Sequence, residues 1–298
     1  MHVFLTGATG FIGSHLVTEL VGTGHRVTGL SRSDAGIAAL ARAGADAVRG
    51  DVNDLPFLRA AAEAADAVVH AAFDHDHADM RRHSENDRRV VETLGAALAG
   101  SDRPLVVTSG TGLVRSGNGG PALETDGHLS SAEFPRAATE EAADALIAAG
   151  RHVMVVRLPQ VHDTHRQGRI TWQIQLAREQ GSVAYVGGGA NRVSAVHVGD
   201  AARLYGLVLA SGRAGARYHA VAEEGVAMRD VAAAIGVRLG LPVASIDPGE
   251  AQAYFGWMAP LAAADLAASG ASTRRELRWD PFGPDLLTDL RAQEPLVR

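Results

Sequence analysis

The sequence contains no lysine; all 28 of its basic residues are arginine. Mechanisms that need a lysine ammonium or a Schiff base are excluded by that alone. Cysteine is absent too, which removes any disulfide framework and makes a cytoplasmic location the default expectation. Long apolar runs are missing: no stretch approaches the roughly 18 consecutive residues of a membrane span. The opening Met-His-Val-Phe-Leu-Thr leads directly into a glycine loop, so no signal peptide is expected. A net charge of −6 argues against a broad nucleic-acid surface. What is present reads as ordinary soluble globular protein: 298 residues, 46% hydrophobic and 21% charged, enough for a large core in one or two domains.

Short runs rich in Val and Leu alternate with alanine-rich amphipathic stretches through the first half. Strands are expected over 2–6, 26–30, 45–48, 66–72, 104–108 and 152–158, with helices over 11–21, 34–43, 55–63, 85–99 and 136–149. This alternation implies an α/β fold, a doubly wound parallel sheet of Rossmann type with right-handed crossovers. After Leu158 the rhythm breaks, and only a strand near 193–198 and a helix near 199–210 are regular. The expected organisation is a nucleotide-binding domain over 1–158, with 194–210 returning to it. A smaller substrate-capping region over 159–193 and 211–298 would then cover the carboxyl ends of the strands.

Between the first strand and first helix stands Leu5-Thr-Gly7-Ala-Thr9-Gly10-Phe11-Ile12-Gly13, a G-x-x-G-x-x-G loop. Glycine there permits a tight turn and close backbone approach to a pyrophosphate, and the helix N-terminus offers free N–H groups. Selectivity for NAD requires an acid at the end of the second strand to hold the ribose 2′-hydroxyl. The chain has Leu30-Ser31-Arg32-Ser33 instead. Arg32 can pair with a 2′-phosphate and Ser31 and Ser33 can donate to it, so NADP is favoured, with NAD as the alternative. Asp34 is expected to cap the next helix. Asp74-His75-Asp76-His77 has a metal-like composition, but no further ligand cluster accompanies it and no metal is expected.

Further elements fall in a recognisable order: Gly50-Asp51-Val52, His70-Ala71-Ala72, V-V-T-S-G-T-G at 106–112, Arg157-Leu-Pro-Gln-Val-His162, Ala195-Val-His-Val-Gly-Asp200, and T-R-R-E-L-R-W-D-P at 273–281. With the glycine loop, they make nearly the whole chain resemble the extended short-chain dehydrogenase/reductases, the NAD-dependent epimerase/dehydratase family. The resemblance implies that Asp51 and Val52 flank the adenine. Ala71, Ala72 and Phe73 would line the ribose and pyrophosphate, and Pro159 and Val161 would lie by the nicotinamide. Ser109 or Thr111 would match the hydroxyl that bonds the substrate oxygen. Arg192 resembles an arginine that grips a substrate diphosphate. Dimerisation through paired helices, common in the family, would make a homodimer.

The family's acid is a tyrosine on the helix before the sixth strand, with a lysine one turn later. Alignment through Glu140 places Ala132 and Arg136 at those positions. Arg136 can bond ribose hydroxyls and supply charge, but its pKa is too high for an acid. His128 and His162 flank the expected site and could donate a proton, as could Glu133 or Asp126 if burial raised them. The reading is an NADP-dependent reductase or dehydrogenase for a small carbonyl, imine or hydroxyl compound, with altered acid chemistry. The alternatives are a non-catalytic NADP-binding sensor and a nucleotide-sugar epimerase or dehydratase.

Overall fold

Runs of Val and Leu that are apolar at every position suit strands covered on both faces. In the computed structural model of the chain, which describes residues 1–74, 79–117 and 119–292, they are so used. The first half alternates β1 (His2–Thr6), α1 (Phe11–Gly22), β2 (Arg26–Ser31), α2 (Asp34–Arg42), β3 (Asp46–Arg49), α3 (Leu55–Glu63), β4 (Ala67–His70), α4 (Met80–Ala97), β5 (Leu105–Gly110), α5 (Ala138–Ala148) and β6 (Val153–Leu158). Val3 and Leu5 pack into one core with α1 and α2, while Phe4 between them packs into another with α3, α4 and α5. Successive residues serve opposite helical layers, as the period of a strand requires.

The second half begins with β7 (Gln160–His162), α6 (Ile170–Gln180), β8 (Val183–Val186), β9 (Arg192–His197) and α7 (Val198–Ser211). There follow β10 (Arg217–His219), β11 (Glu223–Ala227), α8 (Met228–Leu239), β12 (Val243–Ile246), α9 (Ala251–Phe255), α10 (Ala259–Ala263), α11 (Ala271–Leu277) and α12 (Leu286–Ala292). The main sheet has seven parallel strands in the order β3-β2-β1-β4-β5-β6-β10. Chain direction across the sheet reverses between β1 and β4, so a crevice opens there at the carboxyl ends of the strands. A three-stranded sheet, β7-β9-β11, and a pair, β8-β12, lie outside it.

Two segments differ from expectation. Strand β9, within the 194–210 stretch expected to return to the nucleotide-binding domain, hydrogen-bonds to β7 and β11 rather than to the main sheet, while its Val196 shares the core with α1 and α7. Strand β10, within the stretch assigned to the capping region, completes the main sheet beside β6. Arg217-Tyr218-His219 carries no apolar run, so nothing in it signals a sheet strand. It pairs because Gly215 and Ala216 hand it directly to the open edge of β6, where the Ala216 carbonyl accepts from Val155 N–H at 3.0 Å. Among the described residues no helix is long and apolar enough to cross a membrane.

Candidate functional site: a dinucleotide cradle at the strand ends

Helices α2 and α3 are capped by the side chains of Ser33 and Asp54, but α1 is not capped: its N-cap is Gly10. Its first-turn N–H groups therefore have no side-chain acceptor, and the helix dipole adds partial positive charge. Gly7 has φ +71°, and a Cβ there would lie 2.6 Å from the backbone of Ala71 and Ala72. A Cβ on Gly13 would lie 1.9 Å from the Gly7 carbonyl oxygen. Only glycine lets the β1–α1 turn sit this close to the end of β4. The result is an open anion cradle at the crevice, which fits a dinucleotide pyrophosphate. Thr9 and Ser31 meet around Gly36, where a Cβ would lie 3.0 Å from Thr9 Cγ2 and 2.1 Å from Ser31 Oγ. Phe11 and Ile12 are half-buried on the core beneath.

At the end of β2 the Ser31 hydroxyl engages Ser33 N–H and C=O at 3.3 and 3.2 Å. Ser33 Oγ accepts from Gly36 N–H at 3.1 Å. Ser33, not Asp34, caps α2; Asp34 is exposed and pairs with Arg49 instead. Arg49, opposite Ser31 on β3, also donates to the Arg32 carbonyl at 3.0 Å. Arg32 itself is exposed. Asp51 accepts from Asn53 N–H at 2.8 Å, and Val52 packs on the core of the α3 side.

Beyond the cradle runs a buried polar chain. Thr6 Oγ1 lies 2.7 Å from His70 Nδ1, and His70 Nε2 lies 2.8 Å from Asp87 Oδ1. Asp87 Oδ2 accepts from Arg136 at 3.1 Å and also from Thr139. Burial pushes the Asp87 carboxyl up, but Arg136 and His70 more than offset this and hold it below its usual range. Arg136 donates on to the Thr108 carbonyl at 3.2 Å and lies 3.9 Å over the Phe73 ring. The structure thus joins Arg136 and Phe73, two of the expected site residues. Thr108 Oγ1 is 2.7 Å from the hydroxyl of Tyr205, which is fully buried, and burial raises its phenol well above the ordinary value.

The two candidate hydroxyls diverge. Ser109 is buried on β5, its hydroxyl without a hydrogen-bond partner among the described residues. Thr111 Oγ1 is 3.4 Å from Ser194 Oγ on β9. Pro159 is half-buried at the end of β6, and Val161 belongs to the core.

The expected proton donors are turned elsewhere. His162 is fully buried, its Nδ1 2.7 Å from Asp289 of α12, and burial lowers its pKa. His128 Nε2 is 3.0 Å from Asp144, and its ring lines a cavity of about 520 Å³ at the β10 edge with Asp144, Arg213, Arg217 and Glu276. Glu133 is not raised: Ser130 and Arg115 hold its carboxyl at about 2. Asp126 accepts from Leu123 N–H at 2.8 Å. Arg192, expected to grip a diphosphate, is occupied by Asp265 at 3.1 and 2.7 Å. Residues 75–77 of the acidic-histidine stretch lie outside the described residues; among those described, no His, Asp and Glu cluster can hold a metal.

The model of the NAD-dependent epimerase/dehydratase family matches residues 3–222, about three quarters of the chain. The chain belongs to that family. An uncharacterized Saccharomyces cerevisiae protein, YLL056C, is 38% identical over 299 residues, spanning 99% of this chain and 100% of its own. An uncharacterized Schizosaccharomyces pombe protein, C2A9.02, is 38% identical over 291 residues, 97% of this chain and 98% of its own. Among solved structures, dTDP-glucose 4,6-dehydratase from Streptomyces venezuelae, determined with NAD and TYD bound, superposes with a TM-score of 0.77 at 24% identity, covering 98% of this chain and 96% of the other. That likeness establishes the fold.

Within the family frame, three residues of the site escaped the sequence reading: His70, Asp87 and Thr139. His70 ends an apolar strand, Asp87 lies on α4 and Thr139 opens α5, and no short-range pattern couples them. Arg49 was missed for the same reason. Its one available signal was position, as the last residue of the strand beside Ser31.

Proposed function

We propose that the chain is an NADP-dependent oxidoreductase for a small carbonyl, imine or hydroxyl compound, working without a phenolic acid. The observation that carries this reading is the pair of guanidinium groups, Arg32 and Arg49, at the ends of adjacent strands where an NAD enzyme needs a free acid. Asp34, the carboxylate next along the chain after Arg32 and Ser33, already serves Arg49. When bound, the dinucleotide supplies or accepts hydride. The chain's own residues orient it: α1 takes the pyrophosphate, Arg32 and Arg49 the 2′-phosphate, and Phe73 with Arg136 the nicotinamide ribose. Arg136 is locked by Asp87 and Thr108, so it offers fixed positive charge and no transferable proton.

Calorimetric titration of NADPH and NADH tests the cofactor assignment. A lost charge-assisted bond to phosphate is worth about 1.5–3 kcal/mol, so Arg32→Ala or Arg49→Ala should weaken NADPH by roughly ten- to a hundredfold and spare NADH. Equal affinities for the two cofactors in the wild type overturn it. Turnover is tested with a panel of carbonyls and imines followed by NADPH absorbance. Loss of a positioned acid typically costs about 10²–10⁴ in rate, so activated or cationic acceptors should outrun simple ketones by a comparable factor. A second reading, a sensor that binds NADP without turnover, draws on the pairing of His128 with Asp144 and of His162 with Asp289. No oxidation across the panel favours it.

A further inference from the structure

The buried polar chain behind the cradle has a direction. Asp87 Oδ2 accepts from Arg136 at 3.1 Å and from the Thr139 hydroxyl, which itself accepts from Arg136. A carboxylate paired with a guanidinium is an acceptor on both oxygens. The proton in the 2.8 Å contact between Asp87 Oδ1 and His70 therefore sits on the ring's Nε2. Nδ1 is left as the acceptor of the imidazole, and the Thr6 hydroxyl, 2.7 Å away, donates to it. Thr6, His70, Asp87 and Thr139 are all buried, so each depends on its neighbours for its hydrogen bonds.

Thr6 is where this chain meets the cradle, as the last residue of β1 before Gly7. With its proton given to His70, its hydroxyl oxygen accepts from Ala72 N–H at 3.4 Å, and its carbonyl accepts from Ala71 N–H at 3.3 Å. These are the two residues whose backbone a Cβ on Gly7 would meet at 2.6 Å. Thr6 thus clasps the end of β4 where it faces the turn that opens α1. The Ala72 bond is long, and it persists only while the hydroxyl proton points the other way, toward His70. The far end of the chain matters as well, because Asp87 also fixes Arg136, the cation over Phe73.

We infer that His70 is a positioning residue for the dinucleotide, acting through Thr6 to fix the gap between the glycine turn and the end of β4, where the pyrophosphate is received. The inference rests on the cradle being a dinucleotide site, and adds to it a residue that does not touch the ligand. Both ring nitrogens of His70 are spent, one on Thr6 and one on Asp87. A site holds its ligand only as firmly as the hydrogen bonds behind it hold the contacting backbone.

The test measures NADPH affinity of the full chain by calorimetry, beside that of adenosine 2′-monophosphate, which offers the adenine and 2′-phosphate but no group for the cradle. Thr6→Val keeps the shape and removes the hydroxyl. His70→Gln keeps a donor for Asp87 and takes the acceptor from Thr6. Each should weaken NADPH by about tenfold, the loss expected when a buried polar group is left unpaired. The double variant should also lose about tenfold and not about a hundredfold, since both changes break one link. Thr6→Ser, which restores the hydroxyl, should stay within about threefold of the wild type. Adenosine 2′-monophosphate should bind every variant as it binds the wild type, whereas a general loosening of the fold would weaken both ligands alike. If His70→Gln does not fold, Thr6→Val and Thr6→Ser decide the matter, because both leave His70 and Asp87 in place. NADPH binding within about threefold of the wild type in Thr6→Val overturns the inference. So do an equal loss of adenosine 2′-monophosphate, additive losses in the double variant, and failure of Thr6→Ser to restore affinity. A wild type that binds no NADPH is a separate result that sinks the dinucleotide reading and this inference with it.

Discussion

Glu140 and Arg157 are both fully buried and joined by two bonds, Nε to Oε1 at 2.7 Å and Nη2 to Oε2 at 3.1 Å. Arg217 adds a third at 3.1 Å. Glu140→Gln keeps the shape and removes the charge, leaving Arg157 beside His219, which burial and Arg157 itself hold neutral at about 4. Breaking a buried pair from one side costs about 3–5 kcal/mol. A second route gives a similar figure. Burial pushes the Glu140 carboxyl up, but Arg157, with help from Arg217, brings it from 4.5 to about 2. That gap corresponds to roughly 3 kcal/mol at 1.36 kcal/mol per pH unit. Against a total stability of about 5–15 kcal/mol, the loss is large. At about 2–3 °C per kcal/mol for a chain of this length, the melting temperature should fall by roughly 6–15 °C. Because the folded carboxyl is depressed, its stabilisation is complete above 4.5 and drains away as pH falls toward about 2. Urea denaturation at pH 7 and near pH 3 should therefore show the variant far below the wild type at the first and closer to it at the second. Replacing both partners, Glu140→Leu with Arg157→Met, should recover much of the loss. A Glu140→Gln cost under about 1 kcal/mol at pH 7, or a gap that does not narrow in acid, refutes the reasoning.

Two further outcomes follow from the cradle. Gly7→Ala forces a side chain into φ +71° and onto the backbone of Ala71 and Ala72, so cofactor binding should be lost and stability should drop by at least about 1–3 kcal/mol, measured by titration and denaturation. Arg136→Met strips Asp87 of its cation and uncovers Phe73; we expect about 2–4 kcal/mol of destabilisation together with at least tenfold weaker NADPH, and retention of full NADPH affinity would show that Arg136 serves the fold alone.

The α/β class, the positions of the first six strands along the chain and the glycine cradle were legible in the sequence, because each is set by local rules. A strand covered on both faces must be apolar throughout, and a backbone that turns through φ +71° at Gly7 and packs on β4 must lack a Cβ. Family membership was legible too, since it lies in the spacing of such local signals along one chain. The destinations of charged side chains were not. His162 and Arg192 read as site residues by their neighbours in sequence, yet Asp289 and Asp265, far along the chain, claim them. His70 read as one residue of a strand, and tertiary packing made it a link between Thr6 and Asp87. Strand β10 had no hydrophobic pattern to announce it and owes its place to the free edge of β6. The physical reason is common to all of these. Backbone conformation and burial are decided within a few residues, whereas an ion pair or an open sheet edge is satisfied by whatever the folded chain brings within about 3 Å, or about 5 Å between strands, and sequence distance carries no information about that.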